Sequence, residues 1–491
     1  MNLSSLWAQD LPIVKNSIAF SYDQLQLPID EGMGLLGGNY LFAVGNHGYS
    51  GLGVYGAVKG QRGGFFTGGL ALGWRKGFLK NYFFDVNAFA GGGGGGGAPQ
   101  GGGLMLRTAF EAGINAKQNS LGLGISYVGF PNGDISSRQI SINYRYSFEA
   151  YHFSGWPDKL SDNNRWLTRL YRQALAKKSQ FALQLTRYFP KDSLGRSGKS
   201  LDKQLDILGI HWRNEIARNA WFEFETGGAM LGNIDGFAQV FSGLSYEYKL
   251  SQGVYTHLGF LVGAAGGGDV NTGGGIVYRT FGGLGYRFNS AWSLLSQLAW
   301  TAALERQFKA PTVLLNLVYH YRRLSPAPLL TGNKALFNES ISWHRYRIRS
   351  GFQRYSYYRG AGRKSSTQKN IDVNLVNLKL DSFVNNRVYV TGHALGAVTG
   401  KAGGYAVGLL GAGYQLNAYF SGELLLGVAG GGGIAVGSGQ IVQPMINGHL
   451  PLSERWALEA SLGYIRAMSD SLSAVVTNIA LAYRFQSPTV E

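Results

Sequence analysis

A glycine cluster that occurs three times is the strongest constraint on how this chain can fold. The first copy begins at Ala90 and contains seven consecutive glycines, at 91–97. The second begins at Ala265 and the third at Ala429, so the copies are 175 and 164 residues apart. A tyrosine-rich segment ends 58, 56 and 56 residues after the leading alanine. Glycine bias alone would not keep this spacing, and it indicates three copies of one unit.

Between turn signals, apolar and polar residues alternate repeatedly along the chain. This period of two predicts strands with one apolar and one milder face. We count eight such segments in each unit, about 24 strands in all, each with enough residues for a membrane-spanning strand and its turn. Aromatic residues near segment ends, such as Trp74, Phe78 and Tyr414, suit girdles at a bilayer interface. Ordinary strand-end aromatics of a soluble β-protein are the alternative.

Composition excludes several classes of protein. Cysteine is absent, which removes disulfides, thiolate metal sites and cysteine nucleophiles. The net charge of +17 would suit a polyanion, but the lysines and arginines are spread along the chain, and we predict no nucleic-acid partner. No apolar run is long enough for a transmembrane helix.

The chain divides into three repeats and their connections. The predicted divisions are an N-terminal segment that is a possible signal remnant (1–16), repeat 1 (17–153), a basic amphipathic helix (154–178), repeat 2 (179–323), a linker (324–342), repeat 3 (343–485) and a tail (486–491). Hairpin-linked strands with a lipid-like face need paired edges, and closure into a barrel supplies them. The fold class is therefore an all-β, transmembrane, antiparallel up-and-down barrel. The short links favour one wide, plugless barrel of about 24 strands over three small barrels.

The last predicted strand carries Ile479, Leu481, Tyr483 and Phe485 at alternate positions. This series resembles the assembly signal of Gram-negative outer-membrane β-barrels, although six residues follow it here. The resemblance implies a location in the bacterial outer membrane, contact with outer-membrane lipids and lipopolysaccharide, and recognition by the barrel-assembly machinery. A periplasmic or lipoprotein partner is a further expectation, and the basic helix would be periplasmic.

Basic residues fall mostly on the milder, lumen-facing sides of the strands. The candidate anion-contacting residues are Arg107, Arg145, Arg279, Arg322, Arg345, Arg347, Arg349 and Arg484. A lumen lined in this way would favour anions. The alternatives are contact with lipopolysaccharide phosphates at the rim, or pairing with Glu111, Glu223 and Glu225.

The glycine clusters are not phosphate loops, because each leads into a strand and none is followed by the required lysine. The candidate hairpin residues are Gly91, Gly97, Gly101, Gly266, Gly268, Gly273, Gly430, Gly433 and Gly437. Such glycines suggest a bend or a close backbone approach. We consider an inward fold that narrows the lumen, a packing surface for a partner chain or polymer, and a flexible tip.

None of the eight histidines lies beside a matching serine and aspartate, so we predict no catalytic residue, metal ligand or cofactor and no enzyme. The preferred function is an outer-membrane channel that passes or exports an anionic solute or polymer, such as an acidic polysaccharide or a polypeptide. One alternative is a structural or secretion-assembly barrel that anchors partners through its glycine-rich hairpins and periplasmic helix. The other is a lipid-modifying barrel enzyme, for which His257 and His393 would be the residues to test.

Overall fold

The computed structural model describes residues 13–156, 174–191, 193–201, 204–306, 308–326, 340–357, 362–365 and 371–490. These residues form 25 strands, of which 24 make three closed eight-strand barrels. Among them, no helix has the length and apolar character needed to cross a membrane.

Barrel 1 consists of the first eight strands. They are β1 (Ile13–Leu27), β2 (Glu31–Val44), β3 (Gly48–Lys59), β4 (Phe65–Phe78), β5 (Tyr82–Gly95), β6 (Met105–Ala116), β7 (Asn119–Gly129) and β8 (Ser136–Tyr151). Each strand pairs antiparallel with the next, and β1 pairs with β8 to close the ladder. The two-residue strand β9 (Phe153–Ser154) follows and pairs with the last strand of the chain.

Barrel 2 repeats this arrangement. Its strands are β10 (Ala174–Tyr188), β11 (Leu205–Ala217), β12 (Ala220–Leu231), β13 (Ala238–Lys249), β14 (Val254–Gly266), β15 (Ile276–Arg287), β16 (Trp292–Ala303) and β17 (Lys309–Pro326). Pairing of β10 with β17, from Ala174↔Pro326 to Tyr188↔Thr312, closes the ladder.

Barrel 3 is formed by the remaining strands. They are β18 (Ile341–Tyr357), β19 (Val373–Phe383), β20 (Val388–Ala397), β21 (Ala406–Gln415), β22 (Phe420–Gly430), β23 (Gln440–Pro451), β24 (Trp456–Ala467) and β25 (Ser473–Val490). Pairing of β18 with β25 closes this ladder. Two residue pairs, Arg322↔Val490 and Arg323↔Thr489, join its edge to barrel 2.

The prediction of one 24-strand barrel is therefore wrong. The eighth strand of each unit pairs with the first strand of the same unit instead of with the next unit. An eight-strand barrel has an interior just wide enough for side chains to fill it. The predictions of a wide, plugless lumen and of polymer export through it depended on a single barrel and are wrong as well.

Several predicted boundaries also differ from the structure. Strand β1 begins at Ile13, before the predicted start of repeat 1. The ends of the predicted helix are strand, as β9 and the start of β10, while 157–173 lie outside the described residues. Both ends of the predicted linker belong to β17 and β18, and 327–339 also lie outside the described residues. The tail is the end of β25, which pairs with β18 as far as Val490.

The predicted alternation along the strands is confirmed. In β25, Ile479 is 64 % exposed on the outside of the barrel, whereas its neighbours Asn478 and Ala480 are 2 % exposed on the inside. Exposed aromatic side chains such as Trp74, Tyr286 and Tyr414 lie near strand ends on the outward face. This outward surface is apolar in all three barrels and has the aromatic ends that suit a bilayer.

Each interior has two different halves. We call the end at which the three glycine clusters lie the glycine end, and the end at which each barrel's first strand starts and its eighth finishes the terminal end. Apolar side chains fill the glycine end, including Phe65 in barrel 1, Leu261 in barrel 2 and Leu375 in barrel 3, all fully buried. Charged and polar side chains occupy most of the rest.

Candidate functional site

The three glycine loops, between the fifth and sixth strands of each barrel, share one backbone conformation. The φ angles are +59°, +53° and +56° at Gly96, Gly268 and Gly432. They are +57°, +64° and +63° at Gly101, Gly273 and Gly437, and +97°, +106° and +97° at Gly103, Gly275 and Gly439. L-residues with a side chain are disfavoured in this left-handed region, which accounts for the repeated glycines.

Each glycine loop folds back over the mouth of its own barrel. Ala98, Val270 and Ile434 occupy equivalent positions in the three loops, and each is buried in the apolar cluster at the glycine end of its barrel. The glycine end is thereby closed by chain as well as filled by side chains. This agrees with the inward fold considered for the glycine clusters.

The same loops also hold the three barrels together. The carbonyls of Ala57, Ala229 and Ala397, at the ends of β3, β12 and β20, face a glycine of the next barrel. Their partners are Gly275, Gly439 and Gly103, where an added Cβ would come closer than 3.0 Å to the carbonyl oxygen. Barrel 1 thus contacts barrel 2, barrel 2 contacts barrel 3, and barrel 3 contacts barrel 1. These head-to-tail contacts close a ring of three.

Backbone hydrogen bonds and the side chains of an arginine and a lysine also connect the barrels of the ring. The Gly63 N–H donates to the Gly273 carbonyl at 2.8 Å between barrels 1 and 2, and the Gly404 N–H donates to Gly93 at 2.9 Å between barrels 3 and 1. Arg196 of barrel 2 donates to the Gly63 carbonyl of barrel 1 at 2.6 Å. Burial and the neighbouring Arg62 lower the pKa of Arg196 below its ordinary value. Lys364 of barrel 3 pairs with Asp235 of barrel 2 at 2.7 Å.

The predicted hairpin glycines have different surroundings within this arrangement. Gly266 and Gly430 lie directly against the backbone of a neighbouring barrel, at Gly64 and Gly236. The carbonyls of Gly101 and Gly273 also face another barrel, at Gly403 and Gly63. The remaining predicted hairpin glycines contact their own barrel, namely Gly91, Gly97, Gly268, Gly433 and Gly437. The backbone that these glycines contact belongs to neighbouring parts of the same polypeptide, and packing of a separate partner chain or polymer stays a prediction.

The interior of barrel 1 is an ion-pair network. The Arg107 guanidinium donates to Asp23 at 2.8 Å, and Arg145 donates to Asp85 at 2.9 Å. Arg75 and Glu111 complete a set of three cations and three carboxylates. A cavity of about 20 Å³ beside Arg107 and Arg145 has room for a single water molecule.

Barrel 2 combines its ion pairs with histidines. Arg279 donates to Glu225 at 2.6 Å, and His257 lies 2.7 Å from Glu223. Glu223, Glu225 and His211 place one ligand atom each within 4.8 Å of one another, the spacing of a metal centre. Arg279 and the nearby Arg213 already neutralise these carboxylates. The group is therefore satisfied as a hydrogen-bonded core without an ion.

Barrel 3 is organised around Arg349. Its guanidinium contacts three carboxylates, Asp381 at 2.6 Å, Glu423 at 2.6 Å and Glu459 at 3.0 Å. Arg347 also pairs with Asp381, and Lys379 also pairs with Glu423. All these side chains are buried, and their three positive and three negative charges balance.

A Ser–His–Glu arrangement is present in the same interior. Ser421 Oγ lies 2.9 Å from His449 Nε2, and His449 Nδ1 lies 3.2 Å from a Glu459 oxygen. The residue types and order are those of a hydrolytic triad, but His449 Nδ1 has no hydrogen-bond partner among the described residues. Ser421 is fully buried, however, and its hydroxyl has no contact with solvent through which a substrate could reach it.

The predicted anion-contacting arginines fall into two groups. Those that lie in the interiors pair with carboxylates, and they are Arg107, Arg145, Arg279, Arg347 and Arg349. The other three lie near the terminal end: Arg345 bonds Asn386, Arg484 stacks over Trp156, and Arg322 lies opposite Lys178. The interiors are therefore charge-balanced, as in the alternative of pairing with carboxylates.

Sequence reasoning missed most of the carboxylates that provide this balance. Each missed carboxylate lies on the milder, inward face of its strand, as do the arginines that it contacts; the set is Asp23, Asp85, Asp381, Glu423 and Glu459. The alternation of the sequence already places these side chains on the inward face. The strands that carry the partners are distant along the chain, and only the register of the closed barrel brings them together.

No family model and no curated protein matches the chain. Similar solved structures include Pseudomonas aeruginosa OccK2 (OpdF) in complex with glucuronate, at 9% identity and a TM-score of 0.23, with 96% of this chain and 97% of that chain covered. Acinetobacter baumannii OccAB3 has 11% identity and a TM-score of 0.21, with 96% of this chain and 99% of that chain covered. Pseudomonas aeruginosa OpdK with vanillate has 9% identity and a TM-score of 0.22, with 96% of this chain and 98% of that chain covered. Such low scores carry no inference about substrate.

The class of the protein follows from its own architecture. Its ladders are antiparallel and closed, so no backbone edge is left unpaired in hydrocarbon. The outward faces are apolar with aromatic ends, and the inward faces are polar. As the sequence predicts, this is the architecture of the outer-membrane β-barrel class of Gram-negative bacteria.

Proposed function

We propose that this chain is a non-conducting scaffold of the bacterial outer membrane, which anchors partner molecules on a ring of three filled barrels. The observation that carries the proposal is that each barrel is closed at its glycine end. Fully buried apolar side chains such as Val270 and Ile434 fill that end in each barrel, beneath the folded glycine loop. An ion would have to cross this apolar layer to pass through.

The charged halves of the interiors also support a structural role. A conducting pore needs groups that can exchange protein partners for a passing ion. In barrel 3, Arg349 is instead held by three carboxylates, and Lys379 by one of the same three. Side chains that are buried and paired in this way stabilise the barrel wall from within.

Partners of the scaffold are expected away from the glycine loops, which the neighbouring barrels occupy. The turns at the terminal end carry exposed cations, among them Lys80, Lys117, Arg218, Arg387 and Arg455. A periplasmic or lipoprotein partner with an acidic surface would suit this end. Lipopolysaccharide would meet the opposite end, if the short turns of the terminal end face the periplasm as they do in other barrels of this class.

Planar-bilayer recording tests the proposal directly. We expect no stable conductance steps from the purified protein after insertion, even though solubilised protein enters the bilayer. Reproducible steps would contradict the scaffold. Crosslinking in intact cells supplies the second arm, in which a partner should couple to terminal-end turns, for example through a photoreactive group at 117 or 387.

A narrow channel for a small anionic solute is the second candidate. The polar terminal halves of the barrels favour it, because Arg347 and Arg349 face the interior. If steps are recorded, conduction through barrel 3 predicts that Arg349→Gln changes the ratio of anion to cation permeability. Arg287→Gln, at the rim of barrel 2, is the matched control and should leave that ratio unchanged.

A further inference from the structure

Each barrel extends beyond its wall at the terminal end as a ribbon made of its first and eighth strands, and the second and third ribbons also pair with each other at Arg322↔Val490 and Arg323↔Thr489. The ribbons are 13–15 with 149–151, 174–178 with 322–326, and 341–345 with 486–490. In barrel 2 the neighbouring strands stop earlier, since β11 pairs with β10 only from Ser179 and β16 pairs with β17 only to Tyr319. Side chains from all three ribbons, including Tyr151, Leu324 and Val490, form one apolar cluster where the barrels converge.

The three ribbons occupy equivalent places but carry different charges. In the first ribbon Lys15 lies directly opposite Glu149, a complementary pair. In the third, Arg345 lies opposite the neutral Gln486. The second ribbon places cations opposite cations, Lys177↔Arg323 on one face and Lys178↔Arg322 on the other. Like charges directly opposite each other destabilise a strand pair.

Within the described part of the chain, a carboxylate pairs with a cation on one of these two faces only. Lys178 pairs with Glu215 at 3.3 Å. Among the described residues, no carboxylate forms an ion pair with Lys177 or Arg323. The Nε atom of Arg323 is buried and has no acceptor in the described part of the chain.

The Arg323 side chain also reaches the other two barrels. Its guanidinium interacts electrostatically with the phenol groups of Tyr40 in barrel 1 and Tyr346 in barrel 3. Tyr319 and Tyr321 stack with ring centroids 6.0 Å apart just inside the ribbon. Tyrosines of this kind mark the depth of lipid headgroups. Tyr319 is exposed on the outer face, whereas the Tyr321 phenol accepts a hydrogen bond from Trp212. Lys177 and Arg323 follow Tyr319 at the end of the barrel, on the side where headgroup phosphates are expected.

We propose that the Lys177–Arg323 face of the second ribbon binds a phosphate group. The Arg323 guanidinium would contact two phosphate oxygens through its planar fork of donors, and the exposed Lys177 ammonium would supply a second, mobile charge. The bound anion removes the repulsion between the two cations. An anionic phospholipid headgroup and free inorganic phosphate share this chemistry.

The test measures thermal unfolding of the full chain with two probes. The first is inorganic phosphate added to detergent-solubilised protein, against chloride at equal ionic strength. The second is reconstitution in nanodiscs that contain phosphatidylglycerol, against phosphatidylcholine alone. We expect at least one probe to raise the unfolding temperature of the wild type. Removing either cation, as in Lys177→Gln or Arg323→Gln, should weaken the apparent affinity for the probe about fivefold, read from how the unfolding temperature depends on probe concentration.

Arg323→Glu provides the sharper variant, because it gives the second ribbon the complementary pair of the first. In the absence of phosphate this variant should unfold at a higher temperature than the wild type, and it should no longer respond to either probe. Lys80→Gln, which removes an exposed turn cation at the same end, is the control and should respond like the wild type.

The outcomes separate the sources and can overturn the proposal. A response to phosphatidylglycerol alone identifies a lipid headgroup, and a response to inorganic phosphate alone identifies the free anion. No response to either probe, or equal responses in the wild type and Arg323→Glu, would refute the site. The inorganic-phosphate arm needs neither a bilayer nor a non-conducting barrel, so its result is independent of the proposed scaffold role.

Discussion

Barrels 2 and 3 solve the same packing problem with different charge arrangements. In barrel 2 the charges are divided into local groups, with Arg279 on Glu225 and His257 on Glu223. In barrel 3 a single guanidinium, that of Arg349, is shared by three carboxylates. Both interiors are neutral. The difference is that the loss of one side chain stays local in barrel 2 and spreads through the network in barrel 3.

The largest expected effect on stability comes from substituting the central arginine of each barrel. Arg349→Met and Arg279→Met should each lower the free energy of unfolding by about 3–5 kcal/mol, because each leaves a buried carboxylate without its cation. The partner substitution distinguishes them. Adding Glu225→Met to Arg279→Met should recover most of the loss, whereas adding Asp381→Leu to Arg349→Met should recover less than half.

Denaturant unfolding in detergent measures these differences, with Arg287→Met at the exposed rim as the control. If Arg349 is shared by three carboxylates and Arg279 serves one, the second substitution should restore stability to different extents in the two barrels. Equal recovery in the two barrels would mean that the charges of barrel 3 act as independent pairs and that the contrast is only geometric.

A smaller effect is expected at the histidines. His257 contacts Glu223 and Gln297, so His257→Leu should lower the free energy of unfolding by about 2 kcal/mol. His393 is 3 % exposed, and neither ring nitrogen has a hydrogen-bond partner among the described residues. His393→Leu should therefore be neutral or stabilising, because it removes an unsatisfied buried polar group.

The same denaturant series measures both histidine variants. A loss of stability for His393→Leu as large as that for His257→Leu would show that the His393 ring makes an essential polar contact. The comparison between the barrels would then have to be revised.

The smallest effect is expected in the glycine loops. The loop of barrel 2 has Asp269 at φ +67°, where barrel 3 has Gly433 at +68°. The Asp269 carboxylate accepts hydrogen bonds from the backbone and side chain of Ser197, which offset its left-handed conformation. Gly433→Asp introduces a side chain at a left-handed φ and should cost about 1 kcal/mol. Asp269→Gly should cost less, and a larger loss for Asp269→Gly by thermal unfolding would contradict this account.

How far the sequence predicts the structure depends on the range of the interaction. Alternation in segments such as 473–485 is local, so strands and their outward faces could be read directly. The glycine clusters also marked equivalent loops, because most of the left-handed positions in each loop are occupied by glycine. Each of these two features is determined by residues that are close together in the sequence.

Closure could not be predicted in the same way. Whether β8 pairs with β1 or with the following unit depends on contacts between residues more than a hundred positions apart, such as Ile13↔Tyr151. The same holds for the charges, since Arg349 and Glu459 meet only after the ladder closes. The arginines therefore looked like the lining of an open lumen when their counterions could not yet be assigned.

The head-to-tail ring has a consequence for how the assembly responds to dilution. Because all three barrels belong to one polypeptide, each contact between them is intramolecular and has a fixed effective concentration. A ring of separate chains would dissociate as it was diluted, whereas this one stays assembled as a single molecule does. A close backbone contact such as Gly275 against Ala57 therefore does not have to bind a separate barrel from solution. Proteolytic cleavage within both 157–173 and 327–339 would make the contacts between barrels intermolecular. The association of the three barrels would then depend on protein concentration.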